Sequence, residues 1–198
     1  MENTFWDKLE KDEELNDEII EDISKNDLDI YKKDINNSKF IHTEILDSNL
    51  EKVYFKNVSF NNCNFSNTTF TECSFIKCKF INCKMIGSNF IENIFLDSEI
   101  KDSNLNYANI SNTSLNNVSI KDTTMVNSYI QDTKLRNTKF NNIDFTKSQI
   151  FKTRLKDIDL SNSKIEGLST TLEDIKGAKV TEFQVMDLAY LLGVKIKI

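Results

Sequence analysis

The chain carries a large apolar residue at every fifth position over most of its length. The repeat is clearest in FKNVSFNNCNFSNTTFTECSFIKCKF, residues 55–80, where every fifth residue is phenylalanine. It continues without a miss from Phe40 to Ile165, and each of these positions holds Phe, Leu, Ile or Met. An α-helix repeats every 3.6 residues and a strand every two, so neither element keeps this period. The five-residue period must therefore set the architecture.

Two further columns accompany the apolar one. Two residues before each apolar centre the side chain is Ser, Thr, Ala, Cys or Val at 23 of 26 positions, the exceptions being Asn93, Ile143 and Ile158. Two residues after each centre stands Asn, Asp or Gly at 18 of the 26 positions. These residue types tolerate left-handed backbone angles, so we interpret this column as corners. Four short extended sides with four corners then close a square coil of about 20 residues, filled by large and small side chains together.

These columns resemble those of the pentapeptide-repeat proteins, whose loose consensus is a small residue, Asp or Asn, Leu or Phe, and two variable positions. The match covers about residues 38–167. The resemblance implies an all-β fold, a right-handed quadrilateral β-helix of about 6 to 7 coils. At the usual strand spacing such a coil is roughly 31 Å long.

The open ends of such a coil expose unpaired backbone and apolar rings, so we expect helices to cover them. Residues 3–25, NTFWDKLEKDEELNDEIIEDISK, are acidic, and we interpret them as one or two capping helices. Ile30 and Ile35 keep the five-residue phase, so the start of the first coil stays open. The apolar residues available to pack on that coil are Phe5, Trp6, Leu9, Leu15, Ile19, Ile20 and Ile23. The predicted organisation is a helical N-terminal cap over 1–36, the β-helix over 37–168 and a C-terminal segment over 169–198.

The stretch VTEFQVMDLAYLLG, residues 180–193, predicts a short helix, with Thr181 and Gln184 as a capping box and Gly193 as the stop. The helix is apolar on nearly all sides, which is more than one coil end can bury. This segment resembles the closing segment of the Qnr-type pentapeptide-repeat proteins. That resemblance implies a homodimer joined tail to tail, with contacts at Phe183, Met186, Leu188, Ala189, Tyr190 and Leu192.

In the Qnr subgroup the rod resembles duplex DNA, engages DNA gyrase or topoisomerase IV and protects it from quinolones. The resemblance implies the same type of partner here. Charge opposes a simple transfer, because residues 36–170 hold 14 acidic and 16 basic residues, a net +2, where DNA would carry about 18 negative charges. Mimicry is still possible locally, and the acidic residues 1–35, with a net charge of −8, can add to it. The acidic candidates are Glu72, Glu92 and Asp132 in one corner column, and Glu99, Asp102 and Asp122 near another.

A second hypothesis is a structural or adaptor solenoid that binds another protein through its outer faces. A band of aliphatic residues follows consecutive apolar centres and is predicted to face outward and encircle the middle coils, with Ile81 and Ile91 as the candidate contacts. Strand surfaces favour such residues in any case, but an exposed band also suits a partner. The full band is Ile76, Ile81, Ile86, Ile91 and Leu96, with Ile94 beside it. A basic cluster, Lys134, Arg136, Arg154 and Lys156, suits either solvent or an acidic partner.

The sequence argues against an enzyme, a cofactor, a metal site and direct nucleic-acid binding. The four cysteines, Cys63, Cys73, Cys78 and Cys83, all stand in the small interior column and form no C-x-x-C pair, so we expect free thiols that fill the core. Cys63 and Cys83 are one coil apart, close enough for a disulfide in an oxidising compartment. His42 is the only histidine and stands at a corner without a nucleophile. Since no run of 18 apolar residues and no signal-peptide pattern is present, we expect a cytoplasmic protein that does not bind membranes.

Overall fold

The chain folds into a parallel β-solenoid with four flat faces. The computed structural model describes residues 8, 9, 11 and 14–194. Each residue of a strand pairs with the residue 20 positions further along, so that Phe60 lies between Phe40 and Phe80. Three faces are seven-stranded sheets, which gives about seven coils. The predicted all-β solenoid is therefore confirmed.

The strands of each face are stacked along the axis of the rod. Face 1 holds β1 (Glu14–Asn16), β5 (Asp34–Asn36), β9 (Tyr54–Lys56), β12 (Ser74–Ile76), β15 (Ile94–Leu96), β18 (Ser114–Asn116) and β21 (Lys134–Arg136). Face 2 holds β2 (Ile19–Glu21), β6 (Lys39–Ile41), β10 (Ser59–Asn61), β13 (Lys79–Ile81), β16 (Glu99–Lys101), β19 (Ser119–Thr124) and β22 (Lys139–Asp144). Face 3 holds β3 (Ser24–Asn26) and β7 (Glu44–Leu46), and isolated bridges at Asn64, Lys84, Asn104, Thr124, Asp144 and Lys164 continue it. Face 4 holds β4 (Asp29–Tyr31), β8 (Asn49–Glu51), β11 (Thr69–Thr71), β14 (Asn89–Ile91), β17 (Asn109–Ser111), β20 (Tyr129–Gln131) and β23 (Gln149–Phe151).

The apolar column fills the interior of the rod. From Phe40 to Ile165 every apolar centre is buried except Leu135, which is partly buried. Phenylalanines of successive coils stack, as in Phe55 and Phe75, whose ring centroids lie 5.1 Å apart with the planes inclined by 2°. The void between the rings at the N-terminal end measures only about 10 Å³. An apolar void of that size does not hold ordered water, so the interior there is a packed core.

The small column is also buried, and its polar members bond to the backbone. Asn93, one of the three exceptions in the sequence pattern, accepts a hydrogen bond from the Cys73 N–H at 2.7 Å. Its side-chain amide donates to the Phe70 carbonyl at 3.0 Å. The hydroxyl of Ser98 makes the equivalent pair of bonds on the next face. These side chains link successive coils where the backbone cannot pair directly.

The corner column has left-handed backbone angles, as predicted. Asn57 has a φ of 55°, and even Lys52 and Tyr107 adopt φ values of 56° and 60°. Most corner N–H groups donate to a carbonyl of the next coil, as Asn57 does to Ile76 at 2.8 Å. This bond helps to offset the steric cost that side chains other than Asn, Asp and Gly meet at such angles.

The predicted helical cap is wrong from Glu14 onward, because β1–β5 already belong to the solenoid. Leu15 pairs with Ile35, and Ile20 pairs with Phe40, in the same register as the later coils. Both side chains are buried, whereas Lys25 is the one exposed centre of this coil. The acidic residues that suggested a solvated helix surface stand at outward and corner positions, and the corner ones are Asp17, Asp22 and Asp27.

Part of the expected N-terminal cover is present next to this first coil. Lys8, Leu9 and Lys11 have helical geometry, and Leu9 is buried against the apolar core. Phe5 and Trp6, which were also expected to pack there, lie outside the described residues. The cover is therefore seen at Leu9 only.

The C-terminal end is closed by α1 (Leu172–Ile175), α2 (Glu182–Leu188) and a 3-10 helix (Ala189–Leu192). The predicted capping box is confirmed, since the Thr181 N–H donates to Gln184 Oε1 at 2.8 Å and the Gln184 N–H donates to Thr181 Oγ1 at 3.2 Å. Gly193 ends the helical segment with a φ of 68°. Within the part of the chain that the structure describes, no helix is long and apolar enough to cross a membrane.

Three side chains of the C-terminal segment satisfy the backbone of the last coil. Asp174 accepts from the Lys152 N–H at 3.0 Å. Gln184 donates to the carbonyls of Leu160 and Ser163 at 2.8 and 2.7 Å. The Tyr190 hydroxyl donates to the Leu168 carbonyl at 2.7 Å and accepts from the Thr170 N–H at 3.0 Å. The C-terminal helices thus replace the coil that would otherwise pair there.

Candidate protein-binding surface

With its interior packed, the rod offers its outer faces and corners as the sites of contact. A polar groove of about 640 Å³ runs beside the corner between faces 2 and 3. It contains two of the predicted partner contacts, Asp102 and Asp122, and also Glu44 and Lys84. The other residues that line it are Asn62, Cys63, Asn64, Asn82, Cys83, Ser103, Asn104 and Thr124. The groove was not predicted, because it depends on how corner side chains of successive coils pack.

The carboxylates of this groove are held in place by their neighbours. Asn142 donates to Asp122 at 2.8 Å, and Lys121 Nζ lies 3.6 Å from the same carboxylate. The hydrogen bond from Asn142, with the charge of Lys121, lowers the pKa of Asp122 below its usual value. Lys101 lies 3.2 Å from Asp102. Glu99 does not reach the groove, because it stands on face 2 in β16.

The second predicted acidic column lies at the corner between faces 4 and 1. Glu72, Glu92 and Asp132 share it, as the spacing predicts. Lysines stand in the same column, so that Lys52 lies 3.5 Å from Glu72 and Lys152 lies 3.6 Å from Asp132. The column is therefore mixed in charge, and Glu92 is its acid without a lysine partner among the described residues.

The aliphatic band encircles the rod and does not form one patch. Ile81 lies on face 2 and Ile91 on face 4, so the structure does not bring these two candidates together. The compact part of the band is on face 1, where Ile76 pairs with Leu96. Ile94, beside them, is 49% exposed. An apolar patch in the middle of face 1 results.

The six predicted dimer contacts lie at the C-terminal end of the rod. Phe183, Met186 and Leu192 are 70%, 58% and 70% exposed. Leu188 packs partly against the core, and Ala189 is half-buried. Tyr190 is tied to the last coil through its hydroxyl. The end of the rod thus presents an apolar surface in which three of the six side chains are largely free of packing.

Charge varies strongly along the axis, which the total net charge conceals. Residues 14–36 hold 8 acidic and 3 basic residues, a net −5. Residues 114–156 hold 8 basic and 3 acidic residues, a net +5. Because both segments belong to the solenoid, the rod has an acidic first coil and a basic region towards its other end. Counting charge coil by coil would have revealed this from the sequence.

The four cysteines are buried free thiols, as expected. Burial raises the pKa of Cys73 to about 11 and that of Cys78 to about 12. Both are therefore protonated at neutral pH. A protonated, buried thiol is neither a nucleophile nor a metal ligand.

One exposed cluster has side chains of the kind that bind metals. Glu21, Asp22 and His42 offer ligand atoms within 4.8 Å of one another. His42 Nδ1 lies 3.3 Å from Asp22 Oδ1, and Asn62 Nδ2 lies 3.2 Å from His42 Nε2. Both ring nitrogens of His42 therefore already have polar neighbours. The cluster belongs to the stack of polar side chains at the corner between faces 2 and 3.

Comparison with known proteins agrees with this architecture. A model of the pentapeptide repeat region matches residues 33–110, and a model of eight pentapeptide repeats matches residues 128–167. No curated protein matches the sequence. The structure is similar to HetL, a pentapeptide repeat protein involved in heterocyst differentiation regulation from Nostoc sp. strain PCC 7120, with a TM-score of 0.65, 13% identity and 90% coverage of both chains. Its similarity to QnrB1, a plasmid-mediated fluoroquinolone resistance protein, has a TM-score of 0.47, with 18% identity over 93% of this chain and 98% of the other.

Proposed function

Because this chain belongs to the pentapeptide-repeat family, whose solenoids are generally structural or binding proteins, we propose that it is a non-catalytic binding protein. The proposed partner is a type II DNA topoisomerase such as DNA gyrase, which the chain binds as a partial DNA mimic. The supporting observation is the acidic first coil. Its net charge of −5 extends over little more than one coil rise of about 4.8 Å. Duplex DNA carries about 3 charges over that length. The density of negative charge is therefore comparable to that of DNA at this end of the rod.

The mimicry is local to the N-terminal end. Residues 36–170 carry a net +2, so the remainder of the rod does not imitate DNA by charge. Three acidic corners of the first coil, Asp17, Asp22 and Asp27, project from three different edges. A positively charged groove that normally holds DNA can surround such an end and attract it over the Debye length.

A supercoiling assay with and without a fluoroquinolone tests this proposal. The chain is expected to inhibit gyrase supercoiling or to restore it in the presence of the drug. The triple variant Asp17→Asn, Asp22→Asn, Asp27→Asn is expected to lose most of the effect and keep the fold, because Asn also tolerates left-handed angles. Asp157→Asn removes one acidic corner, with a φ of 65°, near the other end and is the control for position. No effect at high micromolar concentrations of the wild-type protein would refute the proposal.

Homodimerisation through the C-terminal end is a further part of the proposal. The apolar surface around Phe183, Met186 and Leu192 is unpartnered within the described chain, and two copies placed end to end would cover it. The double variant Phe183→Asp, Leu192→Asp is expected to abolish this contact. Sedimentation velocity measures the loss of the dimer, and far-UV circular dichroism checks that the fold is unchanged. If the variant sediments with the same mass as the wild-type dimer, the C-terminal contact is contradicted.

An adaptor function is the second candidate, and the exposed Ile94 beside Ile76 and Leu96 favours it. In this case the partner is another protein that covers the apolar patch of face 1. The double variant Ile94→Asp, Leu96→Asp would then abolish capture of a partner, whereas Asp17→Asn, Asp22→Asn, Asp27→Asn would not. The reverse pattern favours the topoisomerase proposal.

A further inference from the structure

Face 1 changes in character along the axis of the rod. At the N-terminal end its outward positions include Glu14 and Asp34. Its middle holds the apolar patch of Ile76, Ile94 and Leu96. Its far end holds only basic side chains at the outward positions, namely Lys134 and Arg136 in β21, followed by Arg154 and Lys156 on either side of the buried Leu155. The order along the face is acidic, apolar and basic.

Most charges at the two ends of face 1 make no ion pair within the described residues. Among residues 8, 9, 11 and 14–194, neither Glu14 nor Asp34 makes an ion pair, and neither do Lys134, Arg136 and Lys156. The exception is Arg154, which lies 3.1 Å from Glu173. Both side chains of that pair are more than three-quarters exposed. A pair that exposed contributes little and exchanges partners readily.

We infer that face 1 is a self-complementary surface on which two copies of this chain pair side by side in antiparallel orientation. The two-fold axis lies in the plane between the two faces and is perpendicular to the axis of the rod. It passes at the level between β12 and β15. Such an axis places every outward position opposite a position at the same edge of the partner face. The contact is distinct from the end-to-end contact proposed above and does not depend on the topoisomerase proposal.

The positions that this axis brings together are chemically matched. At one edge of the face, Glu14 lies opposite Arg154, and Asp34 lies opposite Lys134. At the other edge, Ile76 lies opposite Leu96. The remaining opposed positions are Ser74 with Ile94, Tyr54 with Ser114, Lys56 with Asn116, Asn16 with Lys156 and Asn36 with Arg136. No like charges meet on the face itself.

The corners at the rim neither strengthen nor oppose this pairing decisively. The same axis brings Lys77 to Asp97 and Lys32 to Asp132, and it also brings Glu72 to Glu92 and Asp17 to Asp157. The attraction of the two oppositely charged pairs and the repulsion of the two like-charged pairs balance approximately. In addition, Glu72 already has Lys52 at 3.5 Å. The preference for a second copy therefore comes from the face.

Face 2 shows that this complementarity is not a general consequence of the repeat. The same reversal on face 2 places Lys39 opposite Lys139, which is a pair of like charge, and Lys79 opposite Glu99, which is a pair of opposite charge. It also places the apolar Ile81 opposite the charged Lys101. Face 2 has no acidic end, no central apolar patch and no basic end in that order. A second copy is thus matched better by face 1 than by face 2.

The size of the face indicates a weak pair. Eight coil levels span roughly 34 Å, and a three-residue strand is about 10 Å long, so two faces bury about 700 Å² in total. Stable complexes bury about 1,200 Å² or more. We therefore expect an association that depends on protein concentration and weakens with added salt.

Sedimentation velocity on charge-reversal variants tests the pairing. The basic-end variant Lys134→Glu, Arg154→Glu and the acidic-end variant Glu14→Lys, Asp34→Lys are each expected to weaken self-association roughly tenfold or more, because each altered charge pair occurs twice in the dimer. The chain with all four substitutions restores opposite charges and is expected to associate again. An equimolar mixture of the two double variants is expected to form a mixed pair. Lys79→Glu, Lys139→Glu on face 2 makes the same change in net charge as the basic-end variant and is the matched control.

Each alternative has its own outcome. The measurements are repeated with Phe183→Asp, Leu192→Asp, in which the lateral pairing is expected to persist; complete loss there would mean that only the end contact exists. A chain that is monomeric at all concentrations, or four substitutions that fail to restore association, would overturn the inference. So would retention of double-stranded DNA that is lost in Lys134→Glu, Arg154→Glu while the mass of the protein stays the same.

Discussion

The rings of Phe75 and Phe95 lie one coil apart, with their centroids 4.5 Å from each other and their planes inclined by 19°. Phe75 also stacks on Phe55 and meets Phe70 and Phe80 edge to face at 5.7 and 5.5 Å. Its side chain is fully buried. The stability of the middle coils therefore depends on this stack.

Phe75→Ala is expected to lower the free energy of unfolding by about 3 to 5 kcal/mol, because it removes buried apolar surface and leaves a cavity that flat sheets cannot collapse into. Urea unfolding followed by circular dichroism measures the change. Ser114→Ala, at an outward position of the same face, is the control and is expected to change stability by less than about 0.5 kcal/mol. A loss below about 1 kcal/mol for Phe75→Ala would contradict a packed interior.

Asn93→Leu is expected to destabilise the protein by about 2 to 4 kcal/mol. The apolar side chain leaves the Cys73 N–H and the Phe70 carbonyl without partners in the core. Asn93→Ser is the matched control, since Ser98 makes the equivalent bonds with a hydroxyl. The serine variant should lose less than half as much free energy, and equal losses would show that volume, not hydrogen bonding, governs the site.

The buried thiols predict a loss of stability at alkaline pH. The pKa values of Cys73 and Cys78 are raised from 9.0 to about 11 and about 12. Between pH 9 and 12 the unfolded chain therefore binds fewer protons than the folded chain, and the free energy of unfolding falls as the pH rises. Their contribution is fully present below pH 9 and is lost as the pH passes the folded values.

Unfolding measured between pH 8 and 11 tests this prediction. The double variant Cys73→Ala, Cys78→Ala should show a shallower decline than the wild type over this range. The comparison cancels the titration of Lys and Tyr residues, which both chains share. Identical slopes would mean that these thiols are not protected from solvent.

Tyr190→Phe is expected to cost about 1 to 2 kcal/mol and to loosen the C-terminal end. The substitution removes the hydroxyl that bonds to the Leu168 carbonyl and the Thr170 N–H. Hydrogen exchange at Thr170 should accelerate more than exchange in the middle coils. Tyr107→Phe, at a corner where Tyr107 is 63% exposed, is the control and should leave both quantities unchanged.

Most of the fold follows from the sequence because one spacing determines the burial, the corners and the register together. Phe40 to Ile165 could be assigned to the interior without a structure, since no other arrangement keeps the five-residue phase. The capping box of Thr181 and Gln184 was also predictable, because it depends on neighbouring residues only. Local and periodic features are thus the ones that a single sequence reveals.

The N-terminal coil was not predicted because two local signals competed. Leu15 and Ile20 keep the phase, but Lys25 interrupts it, and the small column holds larger residues such as Glu18 and Leu28. The dense acidic residues then favoured a solvated helix. In the structure, pairing with the next coil outweighs this preference, which is a tertiary effect that the segment alone does not contain.

The candidate surfaces were predicted less completely than the fold. The corner columns of Glu72 and Asp122 followed from the spacing, but the lysines that reach them depend on side-chain directions. Ile81 and Ile91 belong to a band that the spacing predicts to encircle the coils, and a step of ten residues places them on opposite faces. Surface patches arise from neighbours 20 residues apart, so they emerge only when the coils are stacked.

A competition measurement between this protein and duplex DNA for purified DNA gyrase tests the proposed function most directly. Labelled DNA is bound to the enzyme, the protein is added, and fluorescence anisotropy reports the DNA that remains bound. We expect the wild-type chain to displace DNA in a salt-dependent manner, and Asp17→Asn, Asp22→Asn, Asp27→Asn to displace it much less. If DNA stays bound at high micromolar concentrations of the wild-type protein, or if the triple variant competes equally well, the acidic first coil is not a substitute for DNA.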